Sequence, residues 1–93
     1  MKQAMTYDAA EFLETDEDII AYLNAALDDG DPALISAALG DIARAHDMTQ
    51  LAKETGITRD GLYKVLSPTG NPSFSTVQKV VEALGYKLDI VPA

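Results

Sequence analysis

The chain has no cysteine, no tryptophan and one histidine, and sets seven basic residues against fifteen acidic ones over 93 positions. Each shortage excludes something. Without cysteine there are no disulfide staples and no thiolate metal sites, which fits a reducing cytoplasm. His46 alone cannot build a zinc site with cysteine or a second histidine, and its plain reading is a polar residue near a helix end. No apolar run approaches the length of a membrane span. The first fifteen residues alternate polar and apolar types, with no basic start leading into an apolar run, so no signal peptide is visible. The expectation is a cytoplasmic chain with no membrane partner. Enzyme chemistry has little to stand on. Glu11, Glu14, Asp16, Glu17 and Asp18 run along a helix start with no histidine, glycine-rich phosphate loop or nucleophile beside them. No catalytic residue, metal or cofactor is expected. The length makes one small domain, near the size where core burial and chain entropy almost balance.

The net charge of −8 is awkward for a nucleic-acid binder, because phosphate contacts supply most non-specific affinity. The distribution softens this. Up to Asp31 there are nine acidic residues (Asp8, Glu11, Glu14, Asp16, Glu17, Asp18, Asp28, Asp29, Asp31) against Lys2 alone. From Arg44 to Lys87 six basic residues face four acidic ones, Asp47, Glu54, Asp60 and Glu82. An acidic front and a mildly basic rear suggest two surfaces for two partners, the plain alternative being an acidic surface that only confers solubility.

The rear is organised around MTQLAKETGITRDGLYKVLS, from Met48 to Ser67. It reads as two short helices and a tight turn, the pattern of a helix-turn-helix, with an ordinary helical hairpin as the alternative. Ala52 sits where the first helix must pass close to the second. Gly56 follows the first helix, where a positive φ costs glycine little. Leu51, Ile57, Leu62 and Val65 are the apolar positions that pack the pair together. Thr58 caps a second helix, Thr58 to Leu66, that Ser67-Pro68 stops.

The rest of the chain frames this unit. The first fifteen residues read as a loosely held arm or short extended piece. Thr15 with Asp18 resembles a capping box, and Ile19, Ile20, Leu23, Ala26 and Leu27 form an apolar stripe on the helix that follows, ended by Gly30. Asp31-Pro32 opens a second helix reaching about Asp47, with Leu34, Ile35, Ala38, Leu39, Ile42 and Ala43 on its buried face. Gly40 there permits close packing at some cost in helix stability. Thr49 reads as the cap of the first motif helix. The loop SPTGNPS reads as a connector or as a site where backbone N–H groups meet a phosphate. Ser73 caps a last helix carrying Phe74, Val77, Val80, Val81 and Leu84. The tail YKLDIVP alternates and reads as a short β-strand, with Leu88 and Ile90 as candidate dimerisation residues, since a lone strand needs a ladder partner. A tail held only by Leu88 and Ile90 is the alternative. Residues 1–31 thus make an acidic arm and helix, and 32–93 a helix-turn-helix core, in one compact domain.

For DNA, the N-terminal part of the second motif helix matters most. Thr58, Arg59 and Asp60 lie there, and Tyr63 and Lys64 one turn on. Arg59 suits a bidentate contact to guanine, and Lys64 or Tyr63 a base or phosphate. Asp60 can accept from cytosine or hold Arg59 in place. Gln50 and Lys53 on the first helix are candidate backbone contacts. Tyr63 is also readable as partly core, and Arg59, Lys53 and Lys64 as solvated charges.

Two long segments carry a family resemblance. DAAEFLETDEDIIAYLNAALDDGDPALISAALGDIARA, followed by MTQLAKETGITRDGLYKVLSPTGNPSFSTVQKVVEALGYKL, resembles the addiction module antidote group of Xre-type antitoxins. These are HigA-like partners of RelE-superfamily toxins in type II toxin–antitoxin modules. The specific parts are the AYLNAALDDGDP junction, the MTQLAKETG helix and the LSPTGNPSFST loop. The resemblance implies an all-α, five-helix, lambda-repressor-like domain, here with the short C-terminal β-strand, that forms a homodimer and represses its own operator. It also implies neutralisation of a toxin that is typically a ribosome-dependent mRNA interferase. The recognition helix would bear Thr58, Arg59, Asp60, Tyr63 and Lys64, although Asp60 and Gly61 depart from a strong DNA binder. RelE-like toxins are generally basic, so the acidic region from Tyr7 to Asp29, with Tyr7, Phe12, Asp16, Glu17 and Tyr22, is the candidate toxin contact. Two rivals remain: a stand-alone phage-type transcriptional regulator, and an interaction module that has lost DNA binding.

Overall fold

Short polar side chains decide where the helices begin. In the computed structural model, which describes residues 13–93, five helices follow in chain order: α1 (Asp16–Asp29), α2 (Pro32–Ala45), α3 (Met48–Thr55), α4 (Arg59–Val65) and α5 (Phe74–Ala83). Thr15 accepts from the Asp18 N–H at 3.0 Å while Asp18 accepts from the Thr15 N–H at 3.3 Å, completing the capping box. Asp31 accepts from the Ala33 N–H ahead of Pro32, Thr58 from Gly61, and Ser73 from Thr76. Each such cap contributes roughly 1 kcal/mol.

At α3 the expected cap moves. Asp47, not Thr49, fills the position, accepting from the N–H groups of both Thr49 and Gln50 at 3.0 and 3.2 Å. Its carboxylate serves two orphan donors, and starting the helix at Met48 buries that side chain. Consequently α2 ends at Ala45, two residues before the expected Asp47, and only His46 and Asp47 separate it from α3. His46 caps the C-terminus of α2 and is exposed.

The core forms where α2, α3, α4 and α5 meet. Leu39 and Ala43 of α2, Met48 and Leu51 of α3, Leu62 and Leu66 around α4, and Val80 and Val81 of α5 are all buried together. One close approach sets the geometry. At Gly40 a Cβ would lie well inside contact with the Leu66 carbonyl oxygen and 3.1 Å from its carbon, so α2 and the end of α4 touch backbone to backbone. Gly70 also packs against the end of α4: a Cβ there would meet the Val65 carbonyl and lie 2.7 Å from the Lys64 oxygen. That explains the glycine in the SPTGNPS loop as a packing requirement.

α1 lies on α2. The Tyr22 hydroxyl donates to Asp41 Oδ2 at 2.6 Å, and Arg44 pairs with the other oxygen of that carboxylate. Only part of the α1 stripe is covered. Ala26 is buried and Ile19 and Leu23 are half-buried, but Ile20 and Leu27 keep 46% and 43% of their surface exposed. Leu34, expected on the buried face of α2, is also exposed, as is Phe74 at the first position of α5.

The tail departs most from expectation. Residues 86–93 take no regular secondary structure, and no strand occurs among the described residues. Alternation favours a strand, yet a ladder needs a second edge, and the described residues, all helices and connections, supply none. Leu88 borders the groove beside α1 and Ile90 is 95% exposed.

Candidate functional site

The connection between α3 and α4 is three residues long, Gly56-Ile57-Thr58, and each has a distinct task. Gly56 takes φ 77° and its N–H returns to the Ala52 carbonyl. Ile57 turns inward against the core. Thr58 stays extended and caps α4. Thr55, which sequence reasoning passed over, reinforces the turn. Buried at the end of α3, its hydroxyl donates to the Leu51 carbonyl at 2.7 Å and accepts from the Ile57 N–H at 3.3 Å. A threonine one residue before a turn glycine was the available signal.

With Leu62 buried and Val65 half-buried, the opposite side of α4 faces outward. Arg59, Asp60, Tyr63 and Lys64 are all exposed on it. The i, i+4 spacing stacks the Arg59 guanidinium over the Tyr63 ring, 5.9 Å from its centroid. Tyr63 is thus a surface side chain that steadies a cation. The Thr58 oxygen is engaged in capping, and Gln50 donates to Glu54 at 3.0 Å along α3, with Lys53 exposed beside them. Exposed on α3 and α4 are thus three cations, Lys53, Arg59 and Lys64, with the Tyr63 ring and two carboxylates, Glu54 and Asp60. Such a set can contact phosphate oxygens and base edges.

A second surface lies between α1 and the tail. The α5 C-terminus turns at Gly85, and the Tyr86 N–H reaches the Val81 carbonyl at 3.1 Å. Tyr86 then crosses to α1, where its hydroxyl donates to Asp16 at 2.7 Å. Donating that bond, together with burial and the negative charge of Asp16, holds the Tyr86 phenol protonated and pushes its pKa up to about 12. Between α1 and the tail runs an apolar groove of about 560 Å³, lined by Ile20, Leu23 and Leu27 on one side and Leu88 and Val91 on the other.

Of the residues expected to meet a protein partner, Asp16 and Glu17 are exposed on the first turn of α1, the former bonded to Tyr86. Tyr22 is half-buried with its hydroxyl committed to Asp41. Tyr7 and Phe12 lie outside the described residues. Sequence reasoning missed the groove itself, because its two walls are brought together only by the turn at Gly85.

Among the described residues no helix is long and apolar enough to cross a membrane, and no three His, Asp or Glu side chains are placed to share a metal ion.

Comparison with known proteins adds what geometry alone does not. A family model described as "probable addiction module antidote protein" matches residues 3–92. An uncharacterized protein of Haemophilus influenzae is 49% identical over 89 residues, covering 96% of this chain and 92% of the relative. No solved structure matches. With the family model spanning nearly the whole chain, the protein belongs to the addiction module antidote family.

Proposed function

We propose that the protein is the antitoxin of a type II toxin–antitoxin module, of the HigA-like, Xre-type class. It neutralises a RelE-superfamily toxin and represses its own operon by sequence-specific binding to operator DNA. The observation that carries this reading is the antidote-family match across residues 3–92. The outward face of α3 and α4 supports the DNA half. In a lambda-repressor-like arrangement α4 is the recognition helix, with Arg59 and Lys64 offering contacts and Gln50 and Lys53 reaching the backbone. A homodimer would set two copies of α4 in successive major grooves, about 34 Å apart. The acidic α1 supports the toxin half, because an RNA-binding toxin is basic. Neither role calls for catalysis or a cofactor.

The test has two arms. Co-expression with the small reading frame adjacent to the gene should restore growth that the neighbour alone arrests, and the two products should co-purify. A harmless neighbour that does not co-purify would leave a stand-alone regulator. Separately, Arg59→Ala with Lys64→Ala should abolish operator binding while leaving helicity and toxin binding unchanged. An unaltered operator Kd in that double variant would remove α4 as the reading helix. Lys64→Ala alone should lower the slope of log K against log salt by about one.

A further inference from the structure

We infer that the groove between α1 and the tail is the docking site for a basic, amphipathic polypeptide segment of a partner protein. The inference deepens the antitoxin reading, on which it depends only for the identity of the protein that carries the segment.

Three observations converge. The first is apolar surface left open. Ile20 and Leu27, seven residues apart and therefore on one side of α1, face Leu88 and Val91 across the groove, and all four keep more than a third of their surface exposed. Ile20 to Leu27 spans two helical turns, about 10 Å, the length over which a partner helix presents anchors at i, i+3, i+4 and i+7. The second is charge at the groove's end. Asp28 lines it and Asp29 follows in the last turn of α1, where no basic residue is present. Carboxylates at a helix C-terminus oppose the helix dipole and cost α1 stability. An incoming cation would relieve that opposition. The third is the rim on the tail, where Asp89 adds a carboxylate and Lys87 is the one cation among the groove-lining residues.

These charges also decide between occupants. A second copy seated on the same groove would bring Asp28 and Asp29 against acidic rims of the same kind, in a chain already at −8. A basic segment meets complementary charge at the end and apolar walls in the middle.

The probe is a synthetic peptide built from alternating Leu-Leu and Lys-Lys pairs, titrated into the full chain and followed by amide chemical shifts. The same residues scrambled, so that the leucines share no face, serve as the control. Shifts centred on Ile20, Leu27, Leu88 and Val91, with the scrambled peptide binding at least about tenfold more weakly, are expected. Leu27→Ser and, separately, Asp28→Lys should each weaken the first peptide by about tenfold; both sites are exposed, so the fold survives. Equal binding of the scrambled peptide, or shifts elsewhere, would overturn the proposal. So would loss of a wild-type dimer on Leu27→Ser in sedimentation, which would assign the groove to a second copy. Movement of the groove amides on Phe12→Ser without peptide would assign it to this chain's own first residues. The growth assay separates the two readings. If Leu27→Ser still neutralises the neighbouring toxin in full, the docking proposal fails and the antitoxin reading stands. If the wild-type chain neutralises nothing yet binds the basic peptide in the groove, the reverse holds.

Discussion

Gly40→Ala puts the packing logic to a quantitative test, because two opposing effects act at one position. Gly40 lies inside α2, where alanine is favoured over glycine by about 1 kcal/mol. On helix propensity alone the substitution stabilises. Against this, the new Cβ would overlap the Leu66 carbonyl oxygen and sit 3.1 Å from its carbon and 3.3 Å from Arg44 Nη1. The arginine can swing away, but the Leu66 carbonyl belongs to the backbone that ends α4. Relief requires α2 and α4 to separate, loosening Leu39, Leu62 and Leu66 together. Overpacking a well-filled core costs about 1–3 kcal/mol, and with backbone as the obstacle the upper end applies. The net expectation is a loss of about 2 kcal/mol, or roughly 8–16 °C in Tm for a domain this small. Urea denaturation at fixed protein concentration measures it without interference from association. Gly61→Ala is the control, since its Cβ meets only the Thr58 hydroxyl at 3.0 Å and an Ile57 methyl at 3.2 Å, both side-chain atoms. It should lose far less. A Gly40→Ala protein as stable as wild type, or more so, would refute the claim that the α2–α4 approach requires glycine.

Asp47→Ala should destabilise by about 1 kcal/mol by removing the α3 cap, and Thr49→Ala by clearly less; chemical denaturation ranks the two. Leu62→Ala, at a fully buried position of α4, should cost about 2–5 kcal/mol, read from the same denaturation curves. The bond between Tyr86 and Asp16 makes stability pH-dependent at the alkaline end. Because folding raises the phenol from 10.0 to about 12, its contribution is whole below pH 10 and is lost as pH climbs through 12. Tyr86→Phe should therefore be less stable near neutrality and flatter over that window, and its phenolate absorbance titration should lack the highest-pH step.

What could be read from the sequence was mostly local. Thr15 with Asp18, Asp31 before Pro32, Thr58 and Ser73 act on N–H groups within three residues of themselves, so composition and spacing revealed them. Gly56 and the apolar positions Leu51, Ile57 and Leu62 belong to the same local grammar. Where two local signals competed, a tertiary effect chose. Asp47 and Thr49 can both cap a helix, and burial of Met48 goes with the earlier start. The bond joining Asp16 to Tyr86 connects residues 70 apart, and no periodicity announces it.

The same distinction explains both the missing strand and the groove. Alternation in the tail is a statement about side chains, whereas a strand is a statement about backbone partners. With none among the described residues, Leu88 and Val91 border α1 across the groove while staying open to solvent, and Ile90 stands almost fully exposed. The apolar stripe of α1 was correctly visible, but a stripe says only that a surface prefers cover. The helices α2–α5 close their core around Leu39, Leu51, Leu62 and Val80, and α2 covers only part of that stripe. Ile20 and Leu27 are therefore residues whose pattern suits a core that the described helices do not complete. Pattern predicts burial, and the fold determines whether the chain or a partner provides it.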